Sequence, residues 1–184
     1  MRAAALAPFA REPLAARWRM CATPPGEPLR DDDGEWLGIR GPQTVAACLR
    51  DAGRWSLDGP ARDFDAEDWW FEARFDAPPA DFDALCFDGL ATLAQVSLNG
   101  APIVDSRSMF LAHRVPVREH LEPHGNVPRM RFAALAPELA KRRPRPRWRT
   151  PMVAHQQLGW LRTTLLGRTP GWSPPLNWPS GSGS

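Results

Sequence analysis

The 184-residue chain has no tyrosine, one lysine (Lys141) against 22 arginines, and three cysteines. Cys21, Cys48 and Cys86 are odd in number and lack CxxC spacing, so they form neither a disulfide framework nor a zinc site. They are expected as small buried hydrophobes in a reducing compartment. No run approaches the roughly 20 consecutive apolar residues that span a bilayer, which removes a membrane partner. The apolar stretch 3–10 is short, interrupted by Pro8 and without a clear cleavage site. It is not read as a secretory signal, and the expected location is cytoplasmic. Neither sign of charge dominates, the formal net charge being +2. The excess of arginine over lysine reads as coding bias.

What is abundant points to β-structure. Twenty-one prolines and 14 glycines argue against long helices and for short segments joined by turns. Strand signals recur at 18–20, 36–39, 69–76, 84–88, 94–98, 101–105, 111–116 and 129–135. One helical turn is expected over 44–52, with Val45, Cys48 and Leu49 on one face and Gly53 as its stop. Many short strands with little helix predict an antiparallel sandwich or barrel. The chain divides into a loose leader (1–16), one domain (17–179) and a flexible Gly/Ser tail (180–184). A break rich in Pro and Arg is expected at 137–147.

Two stretches carry most of the information. Trp69 and Trp70 are adjacent, and successive strand residues point to opposite sides. Their strand is therefore packed on both faces, or packed on one and functional on the other. Further on, Phe87-Asp88-Gly89-Leu90 ends a strand, with Gly89 expected to take backbone angles that other residues avoid. Ala94-Gln95-Val96-Ser97-Leu98-Asn99-Gly100 then alternates apolar and polar residues and closes in Asn-Gly, the signature of a type I′ hairpin. Val96 and Leu98 face the core there, and Gln95, Ser97 and Asn99 face outward.

These residues, taken together, resemble the N-terminal domain of family 2 glycoside hydrolases, the β-mannosidase branch in particular. Gly41-Pro42-Gln43-Thr44-Val45 resembles the family's PGTV turn, and Asp68-Trp69-Trp70-Phe71 its DWWY strand. Phe87-Asp88-Gly89-Leu90 with Val96-Ser97-Leu98-Asn99-Gly100 is similar to its F-G-L-T-A-V-LNG sequence. Ser108-Met109-Phe110, His113, Leu121, Gly125-Asn126 and Arg131-Phe132 follow its next strands. The resemblance implies an all-β jelly-roll β-sandwich, galactose-binding-domain-like, with one short helix. It departs at the GWDWGP loop, which in the family reaches the sugar. Here Gln157-Leu158-Gly159-Trp160-Leu161-Arg162 holds leucine at the aspartate position, and 167–175 supplies a second Gly/Pro/Trp loop.

The resemblance implies a carbohydrate-binding or scaffold domain that packs on a catalytic barrel and walls its pocket. The parent reaction is retaining hydrolysis of terminal β-mannosides. That chemistry uses two carboxyl groups about 5 Å apart, carried by the barrel. This chain is expected to hold no catalytic pair and to hydrolyse nothing alone. A mannose-containing glycoside and the barrel of a parent enzyme are the expected partners. Self-association through an exposed barrel-facing patch is the alternative to the barrel. A free-standing lectin-like module is the alternative function.

For sugar contact the candidates are Trp160 and Trp172, whose indoles could stack on the apolar faces of a sugar ring. Gln157 and Arg162 lie near Trp160 and could take hydroxyls, and Asp68 could do so beside Trp69 and Trp70. The competing reading is that either indole plugs the sandwich or a domain interface.

Other chemistries find little support. His113, His120, His124 and His155 include no pair at a metal-helix spacing, since Pro123 separates His120 from His124. No metal or cofactor is expected, and no GxSxG, Walker or GxGxxG pattern occurs. Six of the nine residues 141–149 are basic, with Trp148 interleaved, which raises a nucleic-acid-associated protein as a further alternative. The remainder holds 17 basic against 21 acidic residues and offers no extended basic face. The run is read as an exposed connector, without a nucleic-acid partner.

Overall fold

The computed structural model describes residues 12–29, 35–76 and 82–141. Among the described residues there are eight strands: β1 (Arg17–Thr23), β2 (Leu37–Ile39), β3 (Asp68–Arg74), β4 (Ala84–Phe87), β5 (Ala94–Leu98), β6 (Ala101–Ser106), β7 (His113–Pro116) and β8 (Pro128–Phe132). Helices α1 (Val45–Asp51) and α2 (Ala136–Leu139) accompany them. Six strands form an antiparallel sheet in the order β2-β1-β3-β8-β5-β6, and β4 pairs with β7 in a second sheet. The strand signals left a sandwich or a barrel open, and the all-β sandwich that the resemblance implies is what the chain forms.

Strand alternation sorts side chains between the interior and the outer face of the large sheet. On β3, Trp69, Phe71 and Ala73 point inward and are buried, and Phe75 continues the row. They meet Met20 of β1, Val96 of β5 and Met130 of β8, with Cys48 and Leu49 of α1 in the same cluster. A second cluster joins Phe75 and Leu98 to Leu85 and Val117, so the small sheet closes over one end of the large one. Phe87 and Ile103 pack against both clusters and make the core continuous. Leu14 and Ala16, ahead of β1, pack against the second cluster.

Local chemistry fixes the element ends. Thr44 caps α1 by accepting the Ala47 N–H at 3.3 Å on its hydroxyl. At the other end Gly53 N–H donates to Arg50 O at 2.9 Å and Arg54 N–H to Leu49 O at 2.8 Å. Gly53 has φ +69°, so this is a Schellman cap, and it stops the helix at the expected residue. The β5–β6 turn pairs Leu98 with Ala101, with φ +51° at Asn99 and +87° at Gly100, as type I′ requires. Val96 and Leu98 are buried and Gln95 is exposed, which is the expected register.

Three expectations are corrected. Gly89 does not lie in the left-handed region. A Cβ there would stand 2.4 Å from the Met109 carbonyl oxygen, so its role is close backbone approach. Cys86 is exposed on β4, because Leu85 and not its neighbour takes the inward position of that strand. The break expected from residue 137 opens with a helical turn instead: Pro137 sits in the first turn of α2, where no N–H is needed.

Candidate functional site

The outer face of the large sheet is polar and charged along three neighbouring strands. Asp68, Trp70, Glu72 and Arg74 occupy this face of β3. The register places Arg17, Arg19, Cys21 and Thr23 of β1 opposite them on one side, with Arg129 and Arg131 of β8 on the other. Gln95 and Ser97 of β5 continue the face beside Arg131 and Arg129.

Glu72 is the centre of this face, with its side chain fully buried. Its Oε1 accepts from Arg19 Nε at 2.9 Å and Arg74 Nε at 3.0 Å, and its Oε2 accepts from the terminal nitrogen Nη2 of Arg129 at 3.0 Å. Burial opposes its ionisation, but the hydrogen bonds from Arg74, Arg129 and Arg19 outweigh that penalty. The carboxyl is held below its ordinary value of 4.5. The Arg19 guanidinium also lies 4.1 Å from the Trp36 ring centroid.

Asp68 forms a second clasp four residues earlier. Its Oδ1 accepts the Ala134 N–H at 2.7 Å; its Oδ2 accepts Arg131 Nε at 2.8 Å and the Gly26 N–H at 3.0 Å. Between the clasps, Trp70 donates its indole N–H to the Thr23 hydroxyl at 3.0 Å, with the Arg131 guanidinium 5.8 Å from its ring. Thus Trp69 belongs to the core and Trp70 to the outer face.

An open depression of about 240 Å³ lies at one end of this face, lined by Arg74, Ser97, Asn99, Gly100, Val127 and Arg129. Elsewhere His113 Nε2 meets Ser106 Oγ at 3.1 Å, the arrangement of a nucleophile and base. The Ser106 side chain is buried and also bonds the Ser108 backbone. Among the described residues no carboxylate orients the His113 ring, so this contact holds β6 to β7. No group of three His, Cys, Asp or Glu among the described residues could hold a metal ion. Nor is any described helix long and apolar enough to cross a membrane.

Of the residues singled out for sugar contact, Asp68 alone lies in the described region, and both its oxygens are engaged by groups of this chain. Trp160, Trp172, Gln157 and Arg162 lie outside the described residues. So does the basic run after Lys141, whose ammonium pairs with Glu138. Sequence reasoning missed Glu72 and its arginines. The signal was there: Arg17-x-Arg19, Glu72-x-Arg74 and Arg129-x-Arg131 each place charges two apart, on one side of a strand.

The model of the family described as glycosyl hydrolase 2 galactose-binding domain-like matches residues 29–181. β-Mannosidase B of Thermothelomyces thermophilus is 46% identical over 61 residues, 32% of this chain and 7% of that protein. β-Mannosidase B of Aspergillus fumigatus is 38% identical over 95 residues, 48% of this chain and 11% of that protein. The chain thus spans about a tenth of the length of the curated relatives it matches. Among solved structures, a β-D-mannosidase from Dictyoglomus thermophilum superimposes with a TM-score of 0.52 at 20% identity, over 67% of this chain and 15% of that one. That likeness concerns the fold.

Proposed function

This chain belongs to the galactose-binding-domain-like family of glycosyl hydrolase 2, and from that premise we propose that it is the carbohydrate-facing scaffold domain of a β-mannosidase-like hydrolase. It packs on a catalytic barrel, walls one side of the pocket and restricts the substrate to a terminal mannoside. Alone it binds sugar weakly and hydrolyses nothing. The observation that carries this reading is the family match across 29–181, joined to stretches 38–46% identical to β-mannosidases B.

The two carboxylates buried on the outer face, Glu72 and Asp68, suit a structural rather than a catalytic role. A glycosidase needs one carboxylic acid with a raised pKa and a second carboxylate about 5 Å away. Glu72 is shifted in the opposite direction by its three arginines, and Asp68 is locked by Arg131 and two backbone N–H groups. Three unpaired thiols suit a reducing, cytoplasmic setting.

The test is a titration with mannose and mannobiose, following tryptophan fluorescence, on the chain and on Trp172→Ala. Saturable quenching lost in the variant supports a sugar-facing loop around Trp172. No response at tens of millimolar, where a site near 1 mM would be saturated, overturns independent sugar binding. It leaves the scaffold role to be tested by co-purification with a β-mannosidase barrel.

A further inference from the structure

We propose that the depression between Arg74 and Arg129 is an oxyanion site, one that takes a carboxylate or sulfate group. Its lining combines Arg74, Arg129 and Ser97 with the Asn99-Gly100 turn and Val127, and the Asn99 amide there is already engaged by His120 and Asn126. About 240 Å³ is below the range of whole drug-sized ligands and far above the share of a single water, so the space suits one small group.

The charge balance favours an anion. Glu72 is buried beneath Arg19, Arg74 and Arg129 and offsets one of their three positive charges. Among the described residues, what this end of the face presents to solvent is guanidinium, with no carboxylate in the lining. Arg74 is bound to Glu72 through Nε, and its terminal nitrogens meet no partner among the described residues. Its side chain is 52% exposed. A guanidinium fixed at one edge and open at the other is prepared to bond an oxyanion, because the orientation is already set by Glu72. Ser97 lies opposite Arg129 across the β5–β8 pair and supplies a neutral donor at the same end. The Gly100 Cβ position is open space, so the turn does not fill the depression.

Anion binding at this site does not depend on the function proposed above. The oxyanion has two possible sources, a free inorganic ion or an acidic group on a saccharide, and both present the same chemistry.

The experiment is calorimetric titration of the full chain at low ionic strength with sodium sulfate, sodium glucuronate and, as neutral control, mannose. Amide chemical shifts are followed in parallel. Saturable binding of an anion is expected, with shifts at Ser97, Gly100 and Arg129 and weakening as chloride approaches 0.1 M. Arg74→Gln, at a half-exposed position, and Ser97→Glu, which adds a like charge to the ligand, should each weaken it at least tenfold. Glucuronate binding tenfold tighter than sulfate identifies a saccharide as the source, and equal affinities identify the free ion. Three results overturn the proposal: no saturable anion binding, equal binding by both folded variants, or amide shifts clustered away from the depression. The last criterion decides even if a variant fails to fold.

Discussion

The side-chain amide of Asn99 donates to Oδ1 of Asn126 at 2.9 Å, tying the β5–β6 turn to the segment before β8. Asn99 also donates to the His120 carbonyl at 2.8 Å and accepts the Val127 N–H at 2.8 Å. Asn126 is fully buried, accepts the Glu122 N–H and donates to the Glu122 carbonyl. A turn residue chosen for its φ is therefore also the hub that fixes two loops.

Asn99→Gly separates these roles, because glycine keeps the positive φ and removes the three side-chain hydrogen bonds. Loss of about 1–2 kcal/mol is expected, each bond being worth roughly 0.5–1.5 kcal/mol and the site being partly open. Urea unfolding measures it. An unchanged midpoint would mean that Asn99 matters only for its backbone angle.

Glu72→Gln should cost about 2–3 kcal/mol, less than a wholly buried pair because the arginine ends are partly solvated. The pH dependence has a definite sign. The folded-state pKa of Glu72 is depressed, so its contribution is complete above the ordinary value of 4.5 and is lost as pH falls through the lower folded value. Thermal midpoints from pH 7 to 3 should fall less steeply for Glu72→Gln than for the unaltered chain. Parallel curves would refute the assignment.

Gly89→Ala should destabilise by about 1–3 kcal/mol, because the new methyl meets the Met109 carbonyl and backbone must move to admit it. Gly26→Ala meets no atom within 4 Å but sits at φ +81°, so its cost is conformational, about 1 kcal/mol. Comparing the two by denaturation distinguishes steric contact from backbone angle.

Thiol reactivity should follow the packing. Burial pushes Cys21 from 9.0 up to about 11, with Arg19 opposing, and Cys48 is also raised, by burial and then by Asp51. For Cys21 that shift means about a hundredfold less thiolate at neutral pH. In the native protein a disulfide-exchange reagent should titrate one thiol quickly, at Cys86, and the other two only on unfolding. Three fast thiols would contradict the packing of β1 and α1.

The fold was legible where local chemistry is self-sufficient. Asn99-Gly100 encodes its turn, Thr44 and Gly53 mark the ends of α1, and the alternation in 94–98 fixes which side chains enter the core. These signals act within a few residues. Asp68 shows the limit: its position beside Trp69 and Trp70 was visible, but its partners, Gly26, Arg131 and Ala134, come from segments up to 66 residues away.

The sequence by itself determined an all-β fold and its hairpin register, because periodicity and turn residues are properties of the chain, and its motifs carried the resemblance that implied the sandwich and the family. Tertiary structure decided what the charges do. Placing β1 and β8 on either side of β3 gathers Arg19, Arg74 and Arg129 around Glu72. A buried carboxylate keeps its charge only where such partners converge, and convergence is set by strand order.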